Sequence, residues 1–387
     1  PTGNFQQLIP LASGRFLGFW GAGGNELRFR FYNSDGSAAA ASFAAEDYDG
    51  LGIGPLEFDV AQLQSGNYAV VAYTTTGAYL SIVTANGTKI LSKAVLSNST
   101  GVTDVAVANL GNGNVRVTWT EATYTSGPVD VDILYKDFDG AGNEIRSGVV
   151  ADGTDALSPI WAGGYTSEAD MKGLADGRTV TAWLDITWSP IGNGGYAGAF
   201  NQVHVQIRNA LGNVDAELFG TLPGNFLGSE GVDLAVTTGP NGPQIAVIFS
   251  DWLFGNTHYY LFNDAGLTAQ GIIPFPTLTR ALDTGVADAE WLANGDLLIS
   301  QTISDFSQPT LIHQKATILS LNGLIVQSNV DLFPALPDLY NPNDNPTEHF
   351  RAPEFIRLAD GRIVMFGGIA GSDGTKIKVM DPREGPI

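Results

Sequence analysis

The sequence predicts an all-β chain folded as one seven-bladed β-propeller of four-stranded antiparallel blades, with the last blade incomplete. Three observations carry that prediction. A leucine-and-glycine turn recurs seven times, a second glycine turn follows each copy, and the segments between turns alternate with the two-residue period of a strand.

The first turn is clearest at Leu174-Ala175-Asp176-Gly177-Arg178, which Leu358-Ala359-Asp360-Gly361-Arg362 repeats almost letter for letter. Leu11 to Arg15 and Leu292 to Asp296 are close variants; Leu63 to Asn67 and Leu110 to Asn114 are looser, and Gly239 to Pro243 is the weakest. The second turns centre on Gly36, Gly87, Gly142, Gly212, Gly266, Gly323 and Gly385. Asn or Asp beside Gly suits the positive φ that tight hairpins need. Runs such as Val115-Arg116-Val117-Thr118-Trp119 and Val203-His204-Val205-Gln206-Ile207 read as strands. Each unit is therefore strand A, turn, strand B, loop, strand C, turn, strand D, which is the size and order of a propeller blade. The expected blades lie near 1–50, 51–100, 101–155, 156–229, 230–280, 281–345 and 346–387, in a single domain. The last runs out after a third strand near 375–381. The Pro-rich stretch 333–353 reads as a blade-to-blade loop.

Composition narrows the function classes. Asp+Glu 40 against Lys+Arg 19 gives a net charge of −21. Nucleic acid and anionic lipid are bound mainly through Lys and Arg, so neither is an expected partner. No run approaches the ~18 apolar residues of a membrane helix, and no membrane insertion is expected. Cysteine is absent, which removes disulfides, thiol catalysis and thiolate metal sites. Zero cysteine with seven lysines suits a secreted bacterial protein, exported by a leader since removed or by another signal. A monomer is expected.

Strand order sets the faces. If A runs down to its turn, both tight turns of every blade share one face and every long insert falls on the other. Those inserts are 122–130, 186–202 and 304–311 between B and C, and 221–231 and 331–349 between D and A. Long loops on a rigid scaffold are where binding residues concentrate. Aromatic residues gather there. Trp161, Trp188, Trp252 and Tyr196 are the expected ligand-binding residues, with His258 and His349, because such rings stack on sugars. Trp20, Trp119 and Trp183 sit inside strands and read as core. His204, His258 and His313 start C strands in separate blades, so they are not expected to converge on one site.

Carboxylates mark the axis. Asp59, Asp170, Asp288 and Glu354 stand four residues before the repeat leucine on strand A, and Asp104 and Asp233 about two residues earlier. Asp185 and Asp251, with Glu121, cap strand B at the same end. A ring of acids around a channel mouth suits Ca²⁺, which takes six to eight oxygen ligands; a water-filled polar channel explains the same residues. Nucleophile elbows, His-Glu-x-x-His and phosphate loops are missing.

The unit resembles propeller-like repeats of bacterial secreted RTX (repeats-in-toxin, hemolysin-type calcium-binding) proteins. Lys136-Asp137-Phe138-Asp139-Gly140-Ala141-Gly142-Asn143 and Tyr260-Leu261-Phe262-Asn263-Asp264-Ala265-Gly266 carry the likeness. Met380 to Ile387 looks like the lead-in to that group's calcium-binding nonapeptides, which are themselves absent here. The resemblance implies secretion and architecture, with the chain a fragment of a longer protein; it implies no activity. The leading expectation is a non-catalytic binding or adhesion propeller that recognises a glycan or cell-surface protein on its loop face, with calcium. The alternatives are a calcium-dependent hydrolase or lactonase-like enzyme with axial carboxylates, and a rigid spacer of a larger surface protein.

Overall fold

The chain reverses where glycine permits it. In the computed structural model every expected turn glycine within the described residues, from Gly14 to Gly361, has a positive φ. At the first turn of blade 4, Leu174 N–H donates to Arg178 O at 2.8 Å and Gly177 N–H to Leu174 O at 3.0 Å. Gly177 is needed twice over. Its φ is +85°, and a Cβ there would lie 2.4 Å from Leu110 O of the preceding blade. The structure describes residues 6–22, 25–49, 51, 57–123, 130–152, 169–191, 195–226, 232–239, 242–251, 256–273, 288–304, 311–332, 336–337, 354–367 and 376–381. Gly385 falls outside them.

Seven antiparallel sheets follow in chain order. Blade 1 holds β1 (Gln6–Pro10), β2 (Phe16–Ala22), β3 (Glu26–Tyr32) and β4 (Phe43–Asp47). Blade 2 holds β5 (Glu57–Gln62), β6 (Tyr68–Thr74), β7 (Gly77–Val83) and β8 (Lys89–Ser97). In blade 3 these are β9 (Val102–Asn109), β10 (Val115–Thr123), β11 (Asp130–Phe138) and β12 (Glu144–Ala151). Blade 4 is built from β13 (Asp170–Gly173), β14 (Thr179–Ile191), β15 (Gly195–Arg208) and β16 (Val214–Phe226). Blade 5 has β17 (Asp233–Gly239), β18 (Gly242–Asp251), β19 (Asn256–Asn263) and β20 (Gly266–Ile273). Blade 6 has β21 (Ala289–Trp291), β22 (Leu297–Ser304), β23 (Leu311–Leu319), β24 (Ile325–Asp331) and the short β25 (Leu336–Pro337). Among the described residues blade 7 has three, β26 (Glu354–Arg357), β27 (Ile363–Gly367) and β28 (Lys376–Met380). The first strand of each blade contacts the first strand of the next, and β26 meets β1, so the ring closes. The fold is a seven-bladed β-propeller.

The core lies between blades. Leu17, Phe19 and Phe29 of blade 1 face Tyr68 and Val70 of blade 2, all buried. Val203, Val205 and Ile207 of blade 4 face Ile245, Val247 and Phe249 of blade 5. Blades 7 and 1 are joined by Leu8, Phe16, Ile356, Leu358 and Val364. Each such side chain contributes about 1.5–3 kcal/mol by leaving water. Between blades 3 and 4 the apolar seam of Ile133, Tyr135, Val150 and Trp183 is joined by a buried arginine, ion-paired within blade 3, that reaches across to blade 4. Arg116 is fully buried, donates from Nε and Nη2 to both oxygens of Asp137 at 2.8 and 3.0 Å, and reaches Thr179 Oγ1 at 2.9 Å. The Tyr135 ring lies 5.1 Å from the guanidinium carbons of both Arg116 and Arg208.

Three stretches depart from the expected loops. Within 186–202, residues 186–191 and 195–202 form a strand pair, with β14 and β15 in register from Ile186↔Phe200 to Ile191↔Gly195. β16 runs on to Phe226, into the expected 221–231 loop, and pairs Phe226 with Phe200. β25 adds a short pairing to β23 within the Pro-rich stretch. In each case backbone leaving the ring finds a neighbouring strand whose amides and carbonyls it can satisfy, which an unpaired loop could not do.

Candidate functional site: axis and loop face

The axial carboxylates are placed by the innermost strands, and they join neighbouring blades. Asp59 Oδ1 accepts Val60 N–H at 2.8 Å and Oδ2 accepts Val107 N–H of blade 3 at 2.6 Å. Asp170 accepts Met171 N–H at 2.7 Å and Leu234 N–H of blade 5 at 3.1 Å. Asp233 takes Ala289 N–H of blade 6 at 2.8 Å. Asp288 takes that same amide at 2.8 Å and Phe355 N–H of blade 7. The acid four residues before the repeat leucine thus pins the next blade's strand A. In blade 1 this position is Gln7, whose amide donates to Asp59 Oδ1. In blade 3 it is Ala106, and Asp104, 8% exposed, accepts its neighbour Val105 N–H at 2.8 Å.

Asp233 stands in register with Asp170 and Asp288, not two residues earlier. The offset in the sequence arises because the weak first turn of blade 5 is shorter, with Gly239 paired directly to Gly242. Side chains of Glu354, which opens β26 opposite Phe366, and of Asp251, which ends β18 opposite Asn256, lie outside the described residues.

Two further charged residues on the same strands escape the sequence pattern. Lys172, two residues before Leu174, keeps its side chain 39% exposed with Nζ 3.3 Å from Asp170 Oδ2. Burial works to lower its pKa, but Asp170, Asp59, Asp233 and Asp288 outweigh that and hold it well above the usual lysine value. Glu290 occupies the matching position before Leu292. Burial pushes its carboxyl up to about 7, against the pull of Arg357 and Lys172. Burial, then Asp288 and Asp170, raises Asp233 well above the carboxylate range, and burial also raises Asp59. The signal for Lys172 and Glu290 is the register itself, a charge two residues before a repeat leucine where other blades carry Ala61, Ala108 or Ile356. Among the described residues no three His, Asp or Glu side chains converge as metal ligands do.

Among the described residues, the strands of blade 4 reach furthest on the loop face. β14 and β15 are 13 and 14 residues long, against 7–9 for the B and C strands of blades 1–3. The pairs from Ile186 to Ile191 carry the hairpin about 20 Å beyond Asp185 at ~3.4 Å per residue. Trp188 pairs with Gly198 and Tyr196 with Pro190 in this extension; their side chains lie outside the described residues, as do Trp161, Trp252 and His349 entirely. The Ile191-Gly192-Asn193-Gly194-Gly195 stretch is a hairpin-turn signal that could have revealed the extension.

At its base, Asp185 Oδ2 accepts His204 Nε2–H at 2.6 Å and Oδ1 accepts Trp183 Nε1–H at 2.9 Å. His204 Nε2 also lies 3.1 Å from Gln202 Oε1. Asp185 therefore orients a histidine and a core tryptophan. His258 occupies the corresponding position in blade 5, opposite Phe249, but is only 3% exposed and stacks on that ring at 5.2 Å. Burial lowers its pKa to about 4, so it is neutral and presents no side chain to the loop face. Across the molecule, a depression of about 530 Å³ opens on the turn face between blades 6, 7 and 1, walled by Pro10, Leu11, Ala293 and Arg357.

No family model matches the chain, and no curated protein does. Solved propellers do. The polysaccharide lyase Uly1 superposes with a TM-score of 0.50 at 9% identity, over 98% of this chain and 90% of that one. The α-L-arabinofuranosidase arb93a from Fusarium graminearum gives 0.49 at 9% identity, over 83% and 94%. An α-L-arabinanase from Penicillium chrysogenum gives 0.46 at 14%, over 85% and 94%. At these identities the likeness is one of fold.

Proposed function

We propose that this is a secreted carbohydrate-binding propeller that engages a glycan on its loop face, beside blade 4, without turning it over. The observation that carries the reading is the blade-4 extension. It projects well beyond the strands of blades 1–3, and its base brings His204, Asp185, Gln202 and Phe219 together. A rigid strand pair can hold such groups in place at little entropic cost on binding. The propeller fold shared with a polysaccharide lyase is compatible with this ligand class. The net charge of −21 favours neutral over anionic glycans. The test is a binding screen of the intact chain against neutral oligosaccharides and polysaccharides by isothermal titration calorimetry. Saturable binding without release of reducing ends is expected; no binding across the panel overturns the reading and leaves the spacer.

A hydrolase is the second reading, favoured by Glu290. A carboxyl raised to about 7 by burial, two residues along the strand from Asp288, is of the kind that general acid catalysis uses. Calcium held by Asp59, Asp170, Asp233 and Asp288 belongs to that reading, since the lone pairs left over from the backbone amides are hard oxygen donors. New reducing ends from the same panel, lost on adding chelator, would establish it; product formation absent with and without calcium would remove it.

A further inference from the structure

Three blades carry the same cross-strand row near their loop ends: Trp119–Leu134–Val149 in blade 3, Phe249–His258–Ile272 in blade 5, and Trp183–His204–Phe219 in blade 4. The tryptophan-to-acid bond beside it is a repeat feature, since Trp119 Nε1–H donates to Glu121 at 3.0 Å as Trp183 does to Asp185. Blade 4 differs in the strands beyond that bond. Phe219, 48% exposed, is no more open than its counterparts Val149 and Ile272 at 47% and 44%, but it is a ring, and it meets the 20% exposed His204 edge to face at 4.5 Å. The next row on this face, Asp185–Gln202–Thr221, has two exposed polar members where strands B, C and D meet.

We infer that Phe219, His204, Asp185, Gln202 and Thr221 form a binding surface for a neutral mono- or disaccharide unit. This deepens the carbohydrate reading and rests on it. The chemistry comes from the groups themselves. Phe219 offers an apolar ring face to the C–H side of a sugar. Gln202 adds an amide donor and acceptor, and Thr221 a hydroxyl that does both. His204, held through Nε2 by Asp185, has its ring direction fixed by that bond and offers Nδ1 as a further polar atom. Asp185 has one bond on each oxygen and further lone pairs to spare. Three strands ~4.8 Å apart and two rows ~7 Å apart make a surface the size of one or two sugar rings. A neutral sugar is favoured because these five residues include a carboxylate and no Lys or Arg, on a chain of net charge −21.

The experiment compares the intact chain with Phe219→Ala, Gln202→Ala and, as a control at the matching place in blade 3, Val149→Ala. The probes are arabinobiose, cellobiose and β-1,4-galactobiose, read by calorimetry, with thermal melts to confirm that each variant folds. The expected result is at least a tenfold loss of affinity in Phe219→Ala and Gln202→Ala and less than twofold in Val149→Ala. Full binding by both blade-4 variants would overturn the surface while leaving the carbohydrate reading standing. Absence of binding by the unmodified chain to any probe would overturn this inference, and the wider screen then decides the reading beneath it.

Discussion

Replacing Glu290 by Gln should stabilise the protein at alkaline pH and remove part of its pH dependence. Burial raises the Glu290 carboxyl from 4.5 to about 7 in the folded chain. Between those values the folded state holds a proton that the unfolded state has released. Stability from this group is therefore complete below pH 4.5 and is lost as pH rises through 7. A rise from 4.5 to about 7 corresponds to about 3 kcal/mol at pH 8, and to about 1 kcal/mol at pH 5, where most of the difference has not developed. Gln mimics the neutral acid and keeps an acceptor for the Trp291 and Arg357 amides that Glu290 now satisfies. With an unfolding entropy of ~2.1 cal/mol/K per residue, 387 residues give about 0.8 kcal/mol/K, so the gain is ~4 °C in Tm at pH 8 and ~1 °C at pH 5. The assay is scanning calorimetry of both proteins from pH 5 to 8 after chelator treatment. A variant that melts lower at pH 8, or a difference between the two that does not change with pH, would refute the assignment of burial as the dominant cause.

Three further substitutions probe the ring. Arg116→Met strands the buried Asp137 carboxylate and should cost about 3–5 kcal/mol in urea unfolding; a loss under 1 kcal/mol would mean that Arg146, 3.1 Å from Asp137, suffices alone. Gly177→Ala meets both a φ of +85° and Leu110 O at 2.4 Å, whereas Gly14→Ala meets a φ of +76° in open space. The first should therefore lose ~2–3 kcal/mol and the second about 1, and equal losses would show that the approach to Leu110 is unimportant. Asp288→Ala leaves the Phe355 amide without its acceptor, and hydrogen exchange at that amide should accelerate at least tenfold while Leu234, held by Asp170, keeps its protection. Unchanged exchange at Phe355 would dissolve the inter-blade pinning.

Legibility in the sequence tracks the rigidity of the local code. A left-handed glycine between Asn or Asp neighbours has few substitutes, so the turns and the blade count can be read directly. The acid four residues before the repeat leucine is visible as well, but its partner is not. A carboxylate that accepts the next blade's backbone N–H looks identical, in sequence, to one that waits for an ion. Asp233 looks displaced because alignment to a weak turn shifts the count, while the contact to Ala289 restores it. His258 and His204 share a position and differ in what covers them, which depends on residues from another strand. The stretch from Ile186 to Gln202 reads as a loop because it makes the B–C connection of blade 4 longer than those of its neighbours, although its glycine turn is plain in the sequence.

Calcium at the axis meets a constraint from these same bonds. Each of Asp59, Asp170 and Asp288 gives one lone pair to its own strand and one to the next blade, and Asp59 gives a third to Gln7 of blade 1. A carboxylate has about four lone-pair sites, so pinning and ion binding can coexist only if an ion approaches from the channel side. There the ammonium of Lys172 already lies 3.3 Å from Asp170. An ion would have to displace that amine or share the ring with it, and it would pull the raised pKa values of Asp59 and Asp233 down. Calcium and protons therefore compete for one set of oxygens. A calcium-loaded ring would show a flatter fall of Tm between pH 5 and 8 than the chelated protein, whereas a ring that serves only to hold blades together would show the same slope in both.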